Sequence, residues 1–195
     1  MPIKPELVDD AADAVARGFA DNEIWLWMLN GPKRVRRVLP RHYRAMIRHI
    51  YIPRASAWTT TDTLGAAFWY PPGTLDLSLG ERFWEIASMM PRALTSMGRA
   101  ARFDQLVHEN RPEEPHWYLN VLSVVPDAQR GGVGTALMGP GLERADADGL
   151  GAYLETQRKA NVPFYRRFGF EETAEVKLPD SPPVWLMWRP PGGHR

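Results

Sequence analysis

The segment that decides the fold is Trp117-Tyr118-Leu119-Asn120-Val121-Leu122-Ser123-Val124-Val125-Pro126-Asp127-Ala128-Gln129-Arg130-Gly131-Gly132-Val133-Gly134-Thr135. An apolar, strand-like run stops at a proline, and Gln-x-x-Gly-x-Gly then opens a helix. Unpaired amides at a helix N-terminus and the helix dipole both favour an anion, so this order suits a phosphate. Two common phosphate loops do not fit. No lysine follows the glycines, as a Walker loop requires. Thr135-Ala136-Leu137 follows Gly134, so the third glycine of the dinucleotide fingerprint is missing. Taken alone, the turn also reads as a tight strand-to-helix connection with no ligand.

Outward from this segment the pattern alternates. A strand over 116–125 is followed by a helix over 133–148, a strand over 151–156, a short helix over 161–168, and strands over 170–177 and 184–189. Upstream, Leu7 to Phe19 reads as a helix, and Pro32 to Ile52 as another that Pro40 should kink or split. Ile24 to Leu29 is too short to classify by periodicity. Ala55 to Thr60 and Leu64 to Tyr70 read as a hairpin around Thr61-Asp62-Thr63. Residues 78–109 look helical in two pieces, divided near Pro91 or Gly98. These elements predict a mixed α/β domain over 1–195, with helices 20–52 and 78–109 added to a mixed sheet.

Composition narrows the function. The chain has 195 residues, 44% hydrophobic and 24% charged, with a net charge of +1. No strong field calls for nucleic acid as the main partner. No cysteine is present, which excludes disulfides, thiolate catalysis and cysteine-ligated zinc. No signal-peptide core or membrane-length apolar run stands out, so a cytoplasmic location is expected.

A second motif follows the glycine turn: Asn161-Val162-Pro163-Phe164-Tyr165-Arg166-Arg167-Phe168-Gly169-Phe170. Asn161 and Tyr165 are four apart and share a helix face. Gly169 suits a left-handed helix stop before the next strand. With Gln129-x-x-Gly132-x-Gly134 followed by Asn161-x-x-x-Tyr165-x-x-x-Gly169-Phe170, the chain resembles the GCN5-related N-acetyltransferase (GNAT) superfamily over roughly residues 116–190. Glu114-Pro115-His116-Trp117-Tyr118-Leu119, Leu154-Glu155-Thr156 and Trp185-Leu186-Met187 are similar to puromycin N-acetyltransferase and its relatives.

The resemblance implies a GNAT-type fold, a central mixed sheet with splayed strands flanked by helices and helical insertions in the N-terminal half. Residues 116–190 would form the acetyl-CoA-binding core and 1–115 the acceptor-side half. Acetyl-CoA would be the co-substrate, with no metal. Amides from Gln129 through Arg130, Gly131, Gly132, Val133, Gly134 and Thr135 would hold the pyrophosphate. The Val124 amide would polarise the thioester, Ser123 and Val125 would flank the pantetheine arm, and Asn161 would bond that arm or cap its own helix. Two departures stand out: Pro140 should bend the glycine helix or end its first segment, and the family's first strand is nearly absent unless Ile3-Lys4 supplies a stub.

Transfer to an amine needs a polarised thioester, a base and a proton for the thiolate. Tyr165 fits the acid and Glu155 the base, although a packed aromatic and a strand-end carboxylate are their plain structural readings. The expected order is a ternary complex and direct attack, with no covalent enzyme intermediate. Trp25, Trp27, Trp69 and His116 are candidates for an aromatic acceptor site, with ordinary core as the alternative. Arg34, Arg37, Arg41, Arg44 and Arg48 form a basic stripe that reads as a solvated face or an anion dock. The expected partner is a small-molecule amine, with no nucleic acid and no membrane, and a homodimer is compatible. The alternatives are acetylation of a protein N-terminus or lysine, a CoA-binding regulator without turnover, and a nucleic-acid module using the arginine stripe.

Overall fold

The structure is a computed structural model that describes residues 1–90 and 96–193. Helix α1 (Val8–Gly18) buries Val8, Ala11, Ala12 and Val15 along one side, with Asp9 and Asp10 in its first turn, where the helix dipole favours acids. Helix α2 (Glu23–Leu29) is the stretch that periodicity could not classify. Asn22 starts it by accepting from the Trp25 amide, and Asn30 stops it in the left-handed conformation. Helix α3 (Pro32–Met46) runs unbroken through Pro40 and widens into a π turn over Ile47–Tyr51, so the expected split does not occur. Helices α4 (Leu79–Met89) and α5 (Met97–Glu109) are the two pieces expected within 78–109. A Ser78–Glu81 capping box fixes the start of α4. Pro91, one of the expected dividers, lies outside the described residues.

Six strands form one sheet: β1 (Ala57–Thr59), β2 (Gly65–Tyr70), β3 (His116–Val124), β4 (Gly151–Thr156), β5 (Glu171–Val176) and β6 (Val184–Arg189). Their order is β1-β2-β3-β4-β6-β5. Neighbours are antiparallel except β3 and β4, which are parallel and joined by the crossover helix α6 (Val133–Ala147). The mixed sheet flanked by helices is the expected fold class. Residues 1–3 supply the edge stub: the Ile3 amide donates to Ala57 O at 2.9 Å, and the Thr59 amide to Met1 O at 2.9 Å. The last helix, α7 (Val162–Arg166), is shorter than the expected 161–168.

Each face of the sheet carries its own apolar cluster. Phe68, Tyr70, Tyr118, Val121 and Tyr153 pack toward α1 and α3. Trp69, Trp117, Leu119, Leu154 and Met187 pack toward α6 and α7. Helix α6 stays one helix despite Pro140, so the proline ends no segment. Gly141 explains how α6 comes so near the sheet: a Cβ there would overlap the Trp69 ring.

Candidate active site

Strands β3 and β4 pair at His116–Gly151, Trp117–Ala152, Tyr118–Tyr153 and Leu119–Leu154, and the ladder ends there. Both strands continue, β3 to Val124 and β4 to Thr156, so a fork opens between them. Its origin is one extra residue. Across β2, Phe68 faces Val121 while Trp69 faces Leu119, which leaves Asn120 as a bulge. A bulge bends its strand and increases the local twist, which turns residues 121–124 away from β4.

The bulge also sets which amides face the fork. The Val125 amide donates to Leu64 O at 2.9 Å on the β2 side. Amides of an extended strand alternate in direction, so those of Leu122 and Val124 face the fork. Ser123 and Val125 bond the other way, toward α1 and β2. The Ser123 hydroxyl donates to Val15 O at 3.1 Å, and both residues are buried away from the opening.

Beyond the fork, Arg130 and Gly132 adopt positive φ values of 64° and 83°, which wind the chain into the start of α6. Gln129 Nε2 donates to Val124 O at 3.1 Å and ties the turn to the strand end. No side chain caps α6, and Gly131, Gly132 and Thr135 are exposed. A Cβ on Gly132 would meet nothing within 4 Å. An uncapped helix start with room above it and fork-facing amides beside it fits a phosphate-bearing arm. Val133 lies in the first turn, and Gly134 sits 3.3 Å (from its would-be Cβ) from the Phe164 ring of α7.

On the α3 side of the sheet lies a cavity of about 1150 Å³, reaching from α2 and α3 past α4 and α5 to the fork. Glu155 stands at its inner end. The Tyr118 hydroxyl donates to Glu155 Oε2 at 2.6 Å, and Arg111 Nη2 is 3.9 Å from Oε1. Burial pushes the Glu155 carboxyl above the usual carboxylate range, although Tyr118 and Arg111 pull it back. Oε1 accepts no hydrogen bond. Arg111 lies over the Tyr118 ring at 4.8 Å. Residue phase could have pointed to Tyr118 and Tyr153, since Tyr153 is two before Glu155 and pairs with Tyr118. Nothing local marks Arg111.

His116 lines the same cavity. Its Nδ1 lies 2.6 Å from Glu114 O, which can only accept, so the ring proton sits on Nδ1. Burial lowers its pKa, and Nε2 is a buried lone pair with no partner. Trp25 also lines the cavity, edge-on to His42 at 5.6 Å. Burial holds His42 neutral, with its pKa lowered to about 4. Trp27 instead joins α2 to α5 through Phe103. Trp69 is corrected as an acceptor-site residue: it is fully buried on the opposite face against Gly141.

Tyr165 belongs to the α6-side cluster, edge-on to Phe164 at 5.1 Å and to Phe170 at 6.2 Å. Burial raises its phenol pKa further. Glu155 and Tyr165 thus lie on opposite faces of the sheet. Asn161 caps nothing; its Nδ2 donates to Thr156 Oγ1 at 3.4 Å and ties α7 to the end of β4. The arginine stripe is largely engaged elsewhere: Arg44 and Arg48 bond Asp9, and Arg41 bonds Ala87 O. Among the described residues no group of three His, Asp or Glu side chains could share a metal, and no helix is long and apolar enough to cross a membrane.

Residues 93–170 match the family model described as acetyltransferase (GNAT) family. Among solved structures, the chain is similar to the histone acetyltransferase HPA2 and related acetyltransferase from Corynebacterium glutamicum, at 20% identity and TM-score 0.68, over 98% of this chain and 94% of that one. It is also similar to arylalkylamine N-acetyltransferase 2 from Aedes aegypti, at 13% identity and TM-score 0.63, over 97% of each chain. The chain thus has the fold of the GNAT acetyltransferases, and its residues 93–170 carry that family's sequence pattern.

Proposed function

We propose that this protein is an N-acetyltransferase that moves the acetyl group of acetyl-CoA onto a primary amine of a small molecule, by direct attack in a ternary complex. The observation that carries the proposal is the fork: β3 leaves β4 after Leu119, turns the Leu122 and Val124 amides into the opening, and runs straight into the uncapped start of α6. The amides of residues 129–135 would hold the pyrophosphate, and the Val124 amide would bond the thioester oxygen. Acetyl-CoA supplies the activated acetyl group. Glu155 would take the proton from the attacking amine, a task for which a carboxylate of raised pKa is better suited than an ordinary one. Tyr165 would return a proton to the leaving sulfur. The closer likeness to puromycin N-acetyltransferases falls partly on cavity residues, since its matched stretches include His116, Tyr118 and Glu155.

Acetylation of a protein N-terminus or lysine is the second reading. The aromatic and methionine-rich walls built by α3, α4 and α5 suit a bulky, partly apolar amine better than a peptide tail.

The direct test is release of free thiol from acetyl-CoA in the presence of a panel of amines, with calorimetry for acetyl-CoA binding. Tyr165→Phe is expected to lower kcat about tenfold with unchanged acetyl-CoA affinity, because a thiolate of pKa about 8.5 needs limited help to leave. An unchanged kcat removes Tyr165 from the chemistry. Gly134→Phe is expected to weaken acetyl-CoA binding by about tenfold or more, since the new ring must displace Phe164 or fill the turn. Undiminished binding would take the turn out of the site.

A further inference from the structure

We infer that the acceptor is a bulky, partly apolar amine bearing a second cationic group, with its reacting amine at Glu155 and His116 and its other cation held by Asp104 and Glu85 on the α4–α5 wall. This rests on the N-acetyltransferase reading above and names the substrate class of the same site.

The cavity is larger than a simple amine requires. Its volume of about 1150 Å³ is enough for a drug-sized molecule. Its apolar lining is adaptable: Met28, Met46, Met89, Met90 and Met97 line it, five of the chain's eight methionines. Methionine is flexible and polarizable, and suits surfaces that close around varied shapes. Ile86 and Met97 are 42% and 46% exposed in this wall. Apolar surface left open inside a cavity suits an apolar ligand.

Its charge is lopsided. Among the described residues seven carboxylates line the cavity, against two arginines, while the whole chain carries +1. The two arginines are committed: Arg82 is 3.9 Å from Glu85, and Arg111 is 3.9 Å from Glu155. Asp104 has no ion pair among the described residues, and its charge is felt by both Glu85 and Glu155. A single ammonium at Glu155 would leave the α4–α5 end uncompensated.

The inner end is a built site. Glu155 Oε1 and His116 Nε2 accept no hydrogen bond, the Glu155 side chain is 7% exposed, and His116 is 7% exposed. Arg111 and the Tyr153 hydroxyl stand near the Glu155 carboxyl without closing a hydrogen bond to Oε1, so both acceptors have room for an amine, which brings several N–H groups at once. The inner end therefore asks for N–H donors, Asp104 at the other end asks for a cation, and the stretch between them asks for apolar bulk.

The test compares phenethylamine with its para-(trimethylammonio)methyl analogue, whose added cation cannot be acetylated. Thiol release from acetyl-CoA is followed for each. The expected result is a kcat/KM at least about tenfold higher for the dication, falling as salt rises, because screening weakens an exposed carboxylate's pull. Asp104→Asn should cut the dication-to-monoamine ratio of kcat/KM by about tenfold, and Glu85→Gln should move it the same way. Asp104 is exposed, so its variant is expected to fold. Equal kcat/KM for the two amines, or a ratio that Asp104→Asn leaves unmoved, overturns the inference while the acetyltransferase reading stands. Absence of acetyl-CoA binding in calorimetry defeats the acetyltransferase reading itself, and the inference with it.

Discussion

Replacing Glu155 by Gln is expected to slow acetylation by about 10²- to 10³-fold and to leave acetyl-CoA affinity unchanged. Glutamine keeps the shape and can still accept from the Tyr118 hydroxyl, which donates at 2.6 Å in the native protein. What it loses is the capacity to hold a proton from the amine. The pH profile gives a sharper readout. A base works when ionised, and burial raises the Glu155 pKa, so the acid limb of kcat/KM should lie above the ordinary carboxylate range. Below that limb the carboxyl is protonated and the rate falls; above it the rate levels off. In Glu155→Gln this limb should vanish. A variant that keeps native kcat, or keeps the limb, would return Glu155 to a structural part and leave the unpartnered Nε2 of His116 as the base.

Gly141→Val is expected to destabilise the fold by about 3 kcal/mol, at the upper end of what overpacking costs. The new Cβ would overlap the Trp69 ring, which is fully buried and has no room to retreat from the sheet. For a chain of this size the loss corresponds to a fall of roughly 6–12 °C in Tm. Trp69→Phe should recover part of it when made in the Gly141→Val background, because the smaller ring vacates the contested space. Urea or thermal unfolding of the two single variants and the double variant measures that coupling. Strictly additive losses would mean that the glycine matters for another reason.

The second half of the chain is legible because its signals are local. A proline stop at Pro126, glycines at 131, 132 and 134, and the Asn161-to-Phe170 stretch each describe a few neighbouring residues, and β4 and β6 fall on their expected ranges. The short α2 is not legible by period, since seven residues scarcely complete two turns; its Asn22 cap and left-handed Asn30 are the available marks. Pro40 and Pro140 end no segment, because packing of α3 on α1 and α4, and of α6 on the sheet, holds the helices together through the loss of one backbone bond. Trp69 needs strand phase to be placed: residue type groups it with the other tryptophans, whereas its position in β2 turns it to the α6 face. The acidic excess of the cavity is hidden by a near-zero total charge, with the arginines of α3 offsetting carboxylates gathered from distant parts of the chain.

The single surplus residue in β3 has a consequence for how such a protein can diversify. Asn120 separates two stretches of one strand with different duties: the side chains of His116 and Tyr118 before it look into the cavity, while the amides of Leu122 and Val124 after it point edgewise into the fork. The strand works as a party wall. Helices α4 and α5 can be rewritten over the cavity while the backbone amides of the fork stay as they are.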